Sequence, residues 1–172
     1  EWKMLGSTTV WFGGELGNLR LRAKDNYAGT GSNPIRFGNV APVACTGDIR
    51  TLIDYEEYET VYTGSAKFQY LFEYCSQLIS APVLPATALA VYCYGGMFSG
   101  CTSLKEAPVL PATTLAESCY SRMFYGCTSL TEAPVLPATT LDSNCYSYMF
   151  EGCTSLTEAP VLPATTLDSN CY

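Results

Sequence analysis

The sequence predicts an α/β repeat solenoid with turns of 26 residues, each carrying one short parallel strand and one short helix, behind an N-terminal antiparallel β cap. Three observations predict it. The string MFYGCTSLTEAPVLPATTL at 123–141 recurs almost letter for letter at 97–115 and at 149–167. The cysteines, prolines and phenylalanines are kept, and the letters that change are mainly small or polar. A fixed period in the twenties is typical of stacked turns whose same-phase side chains form ladders through the core.

The period gives every residue of the array a phase. A buried side chain must fit its own copies in the turns above and below, so recurring apolar letters are expected to point inward. Positions that vary, such as Ser99, Tyr125 and Glu151, are expected to face water. The recurring series are Phe72, Phe98, Phe124 and Phe150; Cys75, Cys101, Cys127 and Cys153; Leu78, Leu104, Leu130 and Leu156; Leu89, Leu115, Leu141 and Leu167; Cys93, Cys119, Cys145 and Cys171; Tyr94, Tyr120, Tyr146 and Tyr172.

Residues 1–68 lack the period and predict the cap. Their apolar runs are separated by Gly, Asn and Pro, a composition typical of strands and turns. In NLRLRA (18–23), Leu19 and Leu21 alternate with arginines, which predicts one inward and one outward face. An open solenoid needs a cap because its first turn otherwise exposes core, so we expect a small antiparallel β unit there. Residues 69–172 then hold about four turns, the last of them incomplete.

A short strand is predicted in each turn. TSLTEA at 128–133 places Leu130 between polar residues, as in a half-buried strand. Pro134 ends the strand, because proline cannot donate a ladder hydrogen bond inside a sheet. The following PVLPATT predicts extended, polyproline-like chain leading to a corner.

A short helix is predicted to complete each turn. LDSNCYSYMFEGC at 141–153 has Cys145, Met149 and Cys153 at i, i+4 and i+8, which is the spacing of one inward helix face. AKFQYLFEYC at 66–75 is predicted to be the first of these helices. The residues expected to cap the start of the helix at 141–153 are Asp142, Ser143 and Asn144.

The repeated unit MFSGCTSLKEAPVLPATTLAESCYSR (97–122) has an aromatic residue, then Gly-Cys, Ser-Leu and Leu-Pro. In this order the units of residues 71–172 resemble the BspA-type leucine-rich repeats of bacterial surface proteins. VACTGDIRTLID at 43–54 resembles the segment that often precedes such arrays. The resemblance implies a right-handed solenoid with a parallel sheet on one face, secreted or surface-anchored, and adhesion or partner binding rather than catalysis. The turn of 26 residues is longer than is usual for the family, with the extra length in APVLPATT.

The charge distribution argues against several classes of partner. Net charge is −7; residues 1–70 carry seven Lys or Arg against eight Asp or Glu, and residues 71–172 carry two against eight. An acidic array without a basic stripe disfavours nucleic acid and anionic lipid. No apolar run reaches the length of a membrane helix, so we expect no direct membrane insertion. The first residues, EWKMLGSTTV, lack the basic and apolar regions of a signal peptide, so we expect that such a peptide is absent or was removed before residue 1.

Histidine is absent from the sequence. Without it a Ser-His or Cys-His nucleophile cannot form, and the commonest zinc ligand is missing. No C-x-x-C pair and no phosphate-cradling glycine loop occurs. We therefore expect a protein that is not an enzyme and needs no metal or other cofactor. Asp142 and Asp168 are expected to cap helices rather than to bind calcium.

Eight of the nine cysteines fall in the two ladders, and two interpretations stay open. Same-phase cysteines on adjacent turns are expected about 5 Å apart, which is within disulfide range. Two cysteines eight apart on one helix would be about 12 Å apart and could not bridge. The other interpretation is a buried thiol that packs as a small hydrophobe. We expect this for most of them, the isolated Cys45 included.

Polar and aromatic positions of the array that are expected to be exposed form a candidate partner-binding surface. Three same-phase glutamates form an acidic ladder, whose like charges repel at about 5 Å unless they are solvated or neutralised by a cation or a basic partner. Two threonines lie beside it. Two tyrosines are out of phase with the structural ones and are expected to be exposed, where they could stack on sugar rings. The candidate residues are Glu106, Glu132, Glu158, Thr131, Thr157, Tyr125 and Tyr148.

The sequence thus predicts a non-catalytic extracellular or cell-surface binding or adhesion module of a bacterium, whose partner is a host or microbial protein or a glycan. The alternative is a structural subunit or stiff spacer in a surface fibre or phage virion. Because the fourth turn stops at Tyr172, its apolar residues are expected to be covered on one side only. Further repeats, or end-to-end self-association of two copies, would cover them. The residues concerned are Leu156, Ala159, Val161 and Leu167.

Overall fold

The computed structural model describes residues 19–27, 29–31, 33–37, 41–63 and 68–172. The named elements in these ranges are strand β1 (Val43–Ala44), a four-residue 3-10 helix (Ile49–Leu52) and strand β2 (Leu78–Ser80). The rest of the described chain consists of turns and extended segments.

Successive 26-residue units of the array lie one on another. Their backbones are joined by hydrogen bonds in which the N–H of residue i donates to the carbonyl of residue i+25, as from Tyr94 to Cys119 (2.9 Å) and from Tyr120 to Cys145 (3.0 Å). Same-phase aromatic rings also stack, with 5.8 Å between the ring centroids of Phe98 and Phe124. Backbone hydrogen bonds and stacked rings therefore join each unit to the next.

Turns replace the helix that the sequence predicts at 141–153 and, over its described residues 68–75, the one predicted at 66–75. This part of each unit is called the turn ribbon below, and the four turn ribbons are 68–75, 90–101, 116–127 and 142–153. In a turn ribbon, alternate N–H groups donate to the next unit. The N–H groups between them donate three residues back, as from Met97 to the carbonyl of Tyr94 (3.1 Å). Each turn ribbon is thus bonded to the neighbouring unit, which an α-helix with internal bonds would not be.

A left-handed residue at every fourth position explains why no helix forms. In the turn ribbon at 90–101 these residues are Tyr92 (φ 58°), Gly96 (φ 59°) and Gly100 (φ 72°). Each is the third residue of a hydrogen-bonded turn, the position where a type II turn requires positive φ. Left-handed backbone cannot belong to a right-handed helix. Asp142 accordingly accepts the N–H of the next residue, Ser143 (2.7 Å), and caps no helix.

The strand predicted at 128–133 is reduced to a single parallel bridge between Glu106 and Glu132. The Thr131 N–H donates to the carbonyl of Lys105 (3.2 Å) beside it. A strand of three residues appears at this phase only as β2, among the residues that the structure describes.

The N-terminal segment pairs with the first unit in parallel. β1 lies beside β2, with Val43 opposite Leu78, and the Ile49 N–H donates to the carbonyl of Val83 (3.1 Å). The antiparallel pairing expected of this segment is therefore wrong for its described residues, and residues 1–18 lie outside the described ranges. Leu19 and Leu21 are partly buried and the arginines after them are exposed, as their alternation predicts. The parallel pairing adds one more layer to the stack.

The core runs through the stack as ladders. Leu104 and Leu130 are fully buried, and so are the phenylalanines and methionines of the inner units and the tyrosines Tyr94 and Tyr120. A tyrosine ladder formed by Tyr94, Tyr120 and Tyr146 stacks at 6.0 and 5.9 Å between ring centroids. The three hydroxyls are buried and meet no hydrogen-bonding protein atom in the described ranges. Tyrosine rings thus serve this core as apolar material.

Candidate ligand-binding surface

Two adjoining cavities, of about 350 and 430 Å³, lie along the turn ribbons. They share Tyr70, Arg122 and Tyr148, so we treat them as one furrow, the tyrosine groove. Its other lining residues come from all four units and are mostly polar. Asn144 and Glu151 are examples from the last unit.

The shared residues of the groove have one phase. Tyr70, Gly96, Arg122 and Tyr148 follow one another at steps of 26, and each is the left-handed third residue of a turn, with φ between 56° and 59°. Glycine is the residue that suits this conformation, because it has no Cβ to clash. Of the four units, only the second carries glycine at this phase.

That glycine makes room for an aromatic ring from the unit before it. A Cβ at Gly96 would stand 2.4 Å from two ring carbons of Tyr70, and one at Gly100 would stand 2.5 Å from the ring of Tyr74. The two tyrosine rings therefore occupy the space that side chains at these glycines would fill. Both tyrosines line the groove, and the glycines leave room for their rings.

Arg122 provides the positive charge of the groove. Its guanidinium carbon lies 5.2 Å from the ring centroid of Tyr148, within range of a cation–π contact that contributes about 0.5–1 kcal/mol at an exposed site. No carboxylate of the described residues forms an ion pair with it. The five N–H donors of the guanidinium face no competing carboxylate at ion-pair distance, so they can serve a ligand.

The acidic row is a second, separate surface. Glu106, Glu132 and Glu158 are exposed at one phase, and Thr131 and Thr157 are exposed one residue before the last two. Lys105 occupies the same position of the repeat as these threonines, one unit before Thr131, so the row has one basic side chain at its start. None of the glutamates or threonines of the acidic row lines the tyrosine groove.

A third feature, the valine row, was not predicted. Val83, Val109, Val135 and Val161 are 57%, 81%, 81% and 85% exposed. Val161 was expected to lose its cover only because the array stops; it is in fact exposed as its copies are in every unit. In the motif Pro-Val-Leu-Pro the leucine turns inward, as Leu110 does at 2% exposure. Alternation alone cannot say which of two adjacent apolar letters is buried.

The predicted site residues therefore divide between two surfaces. Tyr125 and Tyr148 line the tyrosine groove and are exposed as expected. The glutamates and threonines form the acidic row. Tyr70 and Arg122 were not predicted from the sequence. A comparison of the residues at this position of each repeat would have shown large side chains in three units and glycine in one.

The cysteine thiols of the interior have little reactivity at neutral pH. All nine cysteines lie in the described ranges as free thiols, eight of them buried and Cys45 partly buried. Burial raises the pKa of Cys127 to about 12 and that of Cys145 to about 11. A thiol with such a pKa stays protonated at neutral pH, and only the thiolate is a nucleophile or metal ligand.

Comparison with protein-family models, with curated proteins and with solved structures gives no match.

Within the described ranges, no group of three His, Cys, Asp or Glu side chains is placed to hold a metal ion. The same ranges contain no helix whose length and apolar character would carry it across a membrane.

Proposed function

We propose that the chain is a leucine-rich-repeat solenoid of the BspA type and that it works as a non-catalytic binding or adhesion module at a bacterial surface. Its partner would be a host or microbial protein or a glycan. The 26-residue ladders support the solenoid, and the resemblance of its units to surface proteins supports the location. Binding, rather than catalysis, agrees with the absence of histidine from the sequence.

One observation carries the proposal. The units share one backbone and one set of buried ladders, yet at the groove phase they present different side chains, Tyr70, Arg122 and Tyr148. A scaffold that repeats its interior and varies its surface is the arrangement by which repeat proteins build extended recognition surfaces. The acidic row is a second exposed surface, which repeats glutamate at one phase instead of varying it.

A binding screen tests the proposal. The full chain is immobilised and exposed to host matrix proteins and to oligosaccharides, beside two variants. One replaces Glu106, Glu132 and Glu158 by Gln, and the other is Tyr148→Gly. We expect at least one saturable partner whose binding is weakened by one of the two variants. A chain that binds nothing in either collection, or whose binding ignores both surfaces, contradicts the proposal.

The alternative, a stiff spacer in a fibre or virion, is favoured by a different observation. Leu162 and Leu167 are 40% and 55% exposed, whereas their same-phase copies Leu136 and Leu141 are 2% and 3% exposed. An apolar face of this kind could seat a second copy end to end or a further repeat of a longer chain. Electron micrographs and sedimentation at increasing concentration separate the two functions: regular polymers favour the spacer, and a monomer that binds a partner favours the module.

A further inference from the structure

We propose that the tyrosine groove binds a neutral oligosaccharide through Tyr70, Arg122 and Tyr148. The inference rests on the proposed binding function and names the ligand class and the surface. The first argument is position. The three residues share one phase, so the stack spaces them along a single line, and both cavities open onto all three.

The second argument is the chemistry of the lining. Sugar rings present apolar C–H faces and a rim of hydroxyl groups, so they need exposed aromatic faces together with polar donors and acceptors. The groove offers tyrosine rings beside Ser121, Ser147 and Asn144, and a guanidinium with donors to spare. Polar groups of this kind fix the orientation of a small ligand while the apolar faces carry contact area.

The charge of the groove selects a neutral sugar. Glu117 lines the first cavity and Glu73 and Glu151 line the second. Glu73 pairs with Arg36 at 3.5 Å, which leaves Glu117 and Glu151 against Arg122, the cation common to both cavities. A sialylated or sulfated chain would bring further negative charge to a surface that already carries more carboxylates than cations, and like charges repel.

The backbone argues against an extended peptide. In the second turn ribbon the N–H groups of Tyr92, Tyr94, Gly96 and Phe98 donate to the next unit, and those between them donate three residues back. A peptide that adds as a strand needs unpaired main-chain groups to pair with. These donors are already used, so recognition here has to proceed through side chains.

Backbone strain sets these residues apart from their neighbours. The left-handed region costs a side chain of ordinary size about 1 kcal/mol or more, and glycine almost nothing. Tyr70, Tyr92, Arg122 and Tyr148 all adopt it, and all of them line the groove. Folding alone would favour glycine at these positions. Large side chains kept there against the local preference point to a use on the surface.

The test uses variants that remove a groove side chain without threatening the fold. Tyr148→Gly and Arg122→Gly place glycine where the backbone prefers it, so we expect unfolding temperatures no lower than that of the parent chain. Asn170→Gly is the matched control, a left-handed position that lines neither cavity. Binding is measured by calorimetry with tetramers of β-1,4-linked N-acetylglucosamine, glucose, mannose and galactose, with sialylated counterparts and with extended peptides.

We expect at least one neutral tetramer to bind, and its affinity to fall about ten-fold or more in each groove variant but not in Asn170→Gly. Sialylated counterparts should bind more weakly. Three results overturn the inference: no tetramer binds, or a tetramer binds equally to the groove variants, or only peptides bind in the groove. If matrix proteins still bind in those cases, the proposed binding function survives and the saccharide assignment alone fails.

Discussion

The thiol of Cys127 donates to the carbonyl of Phe98 in the preceding unit, with 3.1 Å between sulfur and oxygen. Its own N–H closes a turn on Phe124. The Phe98 carbonyl also accepts the N–H of Cys101, so both of its lone pairs are used. Cys101 and Cys153 make the same contact with their preceding units at 3.1 Å. This cysteine ladder therefore links units by hydrogen bonds as well as by packing.

Replacing Cys127 by alanine should lower the free energy of unfolding by about 1–3 kcal/mol. The change removes one hydrogen bond and leaves a small cavity in a packed core. Urea denaturation monitored by circular dichroism measures it. Thr154→Ala, at an exposed position beside Cys153, is the control and should stay within about 0.5 kcal/mol of the parent. Equal losses in the two variants would show that the thiol contributes no link between units.

Thiol counting in denaturant without reductant should find most of the nine thiols free. The physical reason is that the thiols of one ladder donate to carbonyls 3.0–3.1 Å away, as from Cys75 to Ile35 and from Cys127 to Phe98, and do not approach one another as disulfides. A count of one or none would replace the buried-thiol ladder by disulfide stapling.

The ladders could be predicted from the sequence, but the shape of the chain between them could not. Cys145, Met149 and Cys153 are buried on one face as their i, i+4 and i+8 spacing predicts. That spacing was assigned to a helix. Turns that repeat every four residues give the same spacing, and the difference lies in a left-handed residue such as Asn144 (φ 55°). Among these residues glycine, and more weakly asparagine, indicates positive φ in the sequence, whereas tyrosine, serine and arginine give no such signal.

The candidate site shows the same division between what phase can and cannot predict. Phase predicted that Tyr125 is exposed and that Tyr120 is buried, which the structure confirms. It did not predict that the ring of Tyr70 lies over Gly96; the two residues share one phase, but their letters do not say that a side chain of one unit fills the space left empty by glycine in the next. Contacts of this kind depend on the distance between stacked units, which cannot be derived from the spacing of residues along the sequence.

Leu130→Asp should unfold the array, because it places an unpaired charge in a fully buried position. Thr131→Asp, one residue further and exposed, should cost less than about 1 kcal/mol, from repulsion with nearby glutamates. Thermal melts followed by circular dichroism compare the two. Equal melting temperatures would mean that the inward and outward positions of this segment have been exchanged.

Tyr120→Phe should leave stability unchanged or raise it by about 1–3 kcal/mol. The hydroxyl is buried without a protein partner, and a buried polar group without a hydrogen bond is unfavourable by about that amount. Phe68 already occupies the same phase and stacks on Tyr94 at 6.1 Å, so the ladder accepts a phenylalanine. Tyr125→Phe, at an exposed position, is the control for urea denaturation. A clear loss in Tyr120→Phe alone would show that the hydroxyl has a partner in solution.

Stability should fall steeply above about pH 9. Burial raises the pKa of Cys75 and of Cys145 from 9.0 to about 11 and that of Cys127 to about 12. Between pH 9.0 and the folded pKa of about 11 or 12, the thiols of the unfolded chain lose their protons while those of the folded chain keep them. The neutral-thiol contribution is therefore complete below pH 9 and is lost as pH rises through the folded pKa values, at about 1.4 kcal/mol per pH unit for each thiol.

Urea midpoints at pH 7, 9 and 10 measure this decline. The variant Cys127→Ala should show a shallower slope between pH 9 and 10 than the parent chain, because one of the titrating thiols is gone. A flat profile, or an unchanged slope in the variant, would rule out buried thiols as its cause.

The register of i to i+25 bonds also bears on how such a chain can change in length. Residues 97–122 and 123–148 are nearly identical in sequence. Where the DNA that encodes them also matches, unequal recombination between the two tracts becomes feasible. An exchange between matched points removes or adds 26 residues, and every hydrogen bond and ring then finds an equivalent partner one unit along. Lineages could therefore lengthen or shorten this protein by whole layers in a single event without passing through a misfolded form.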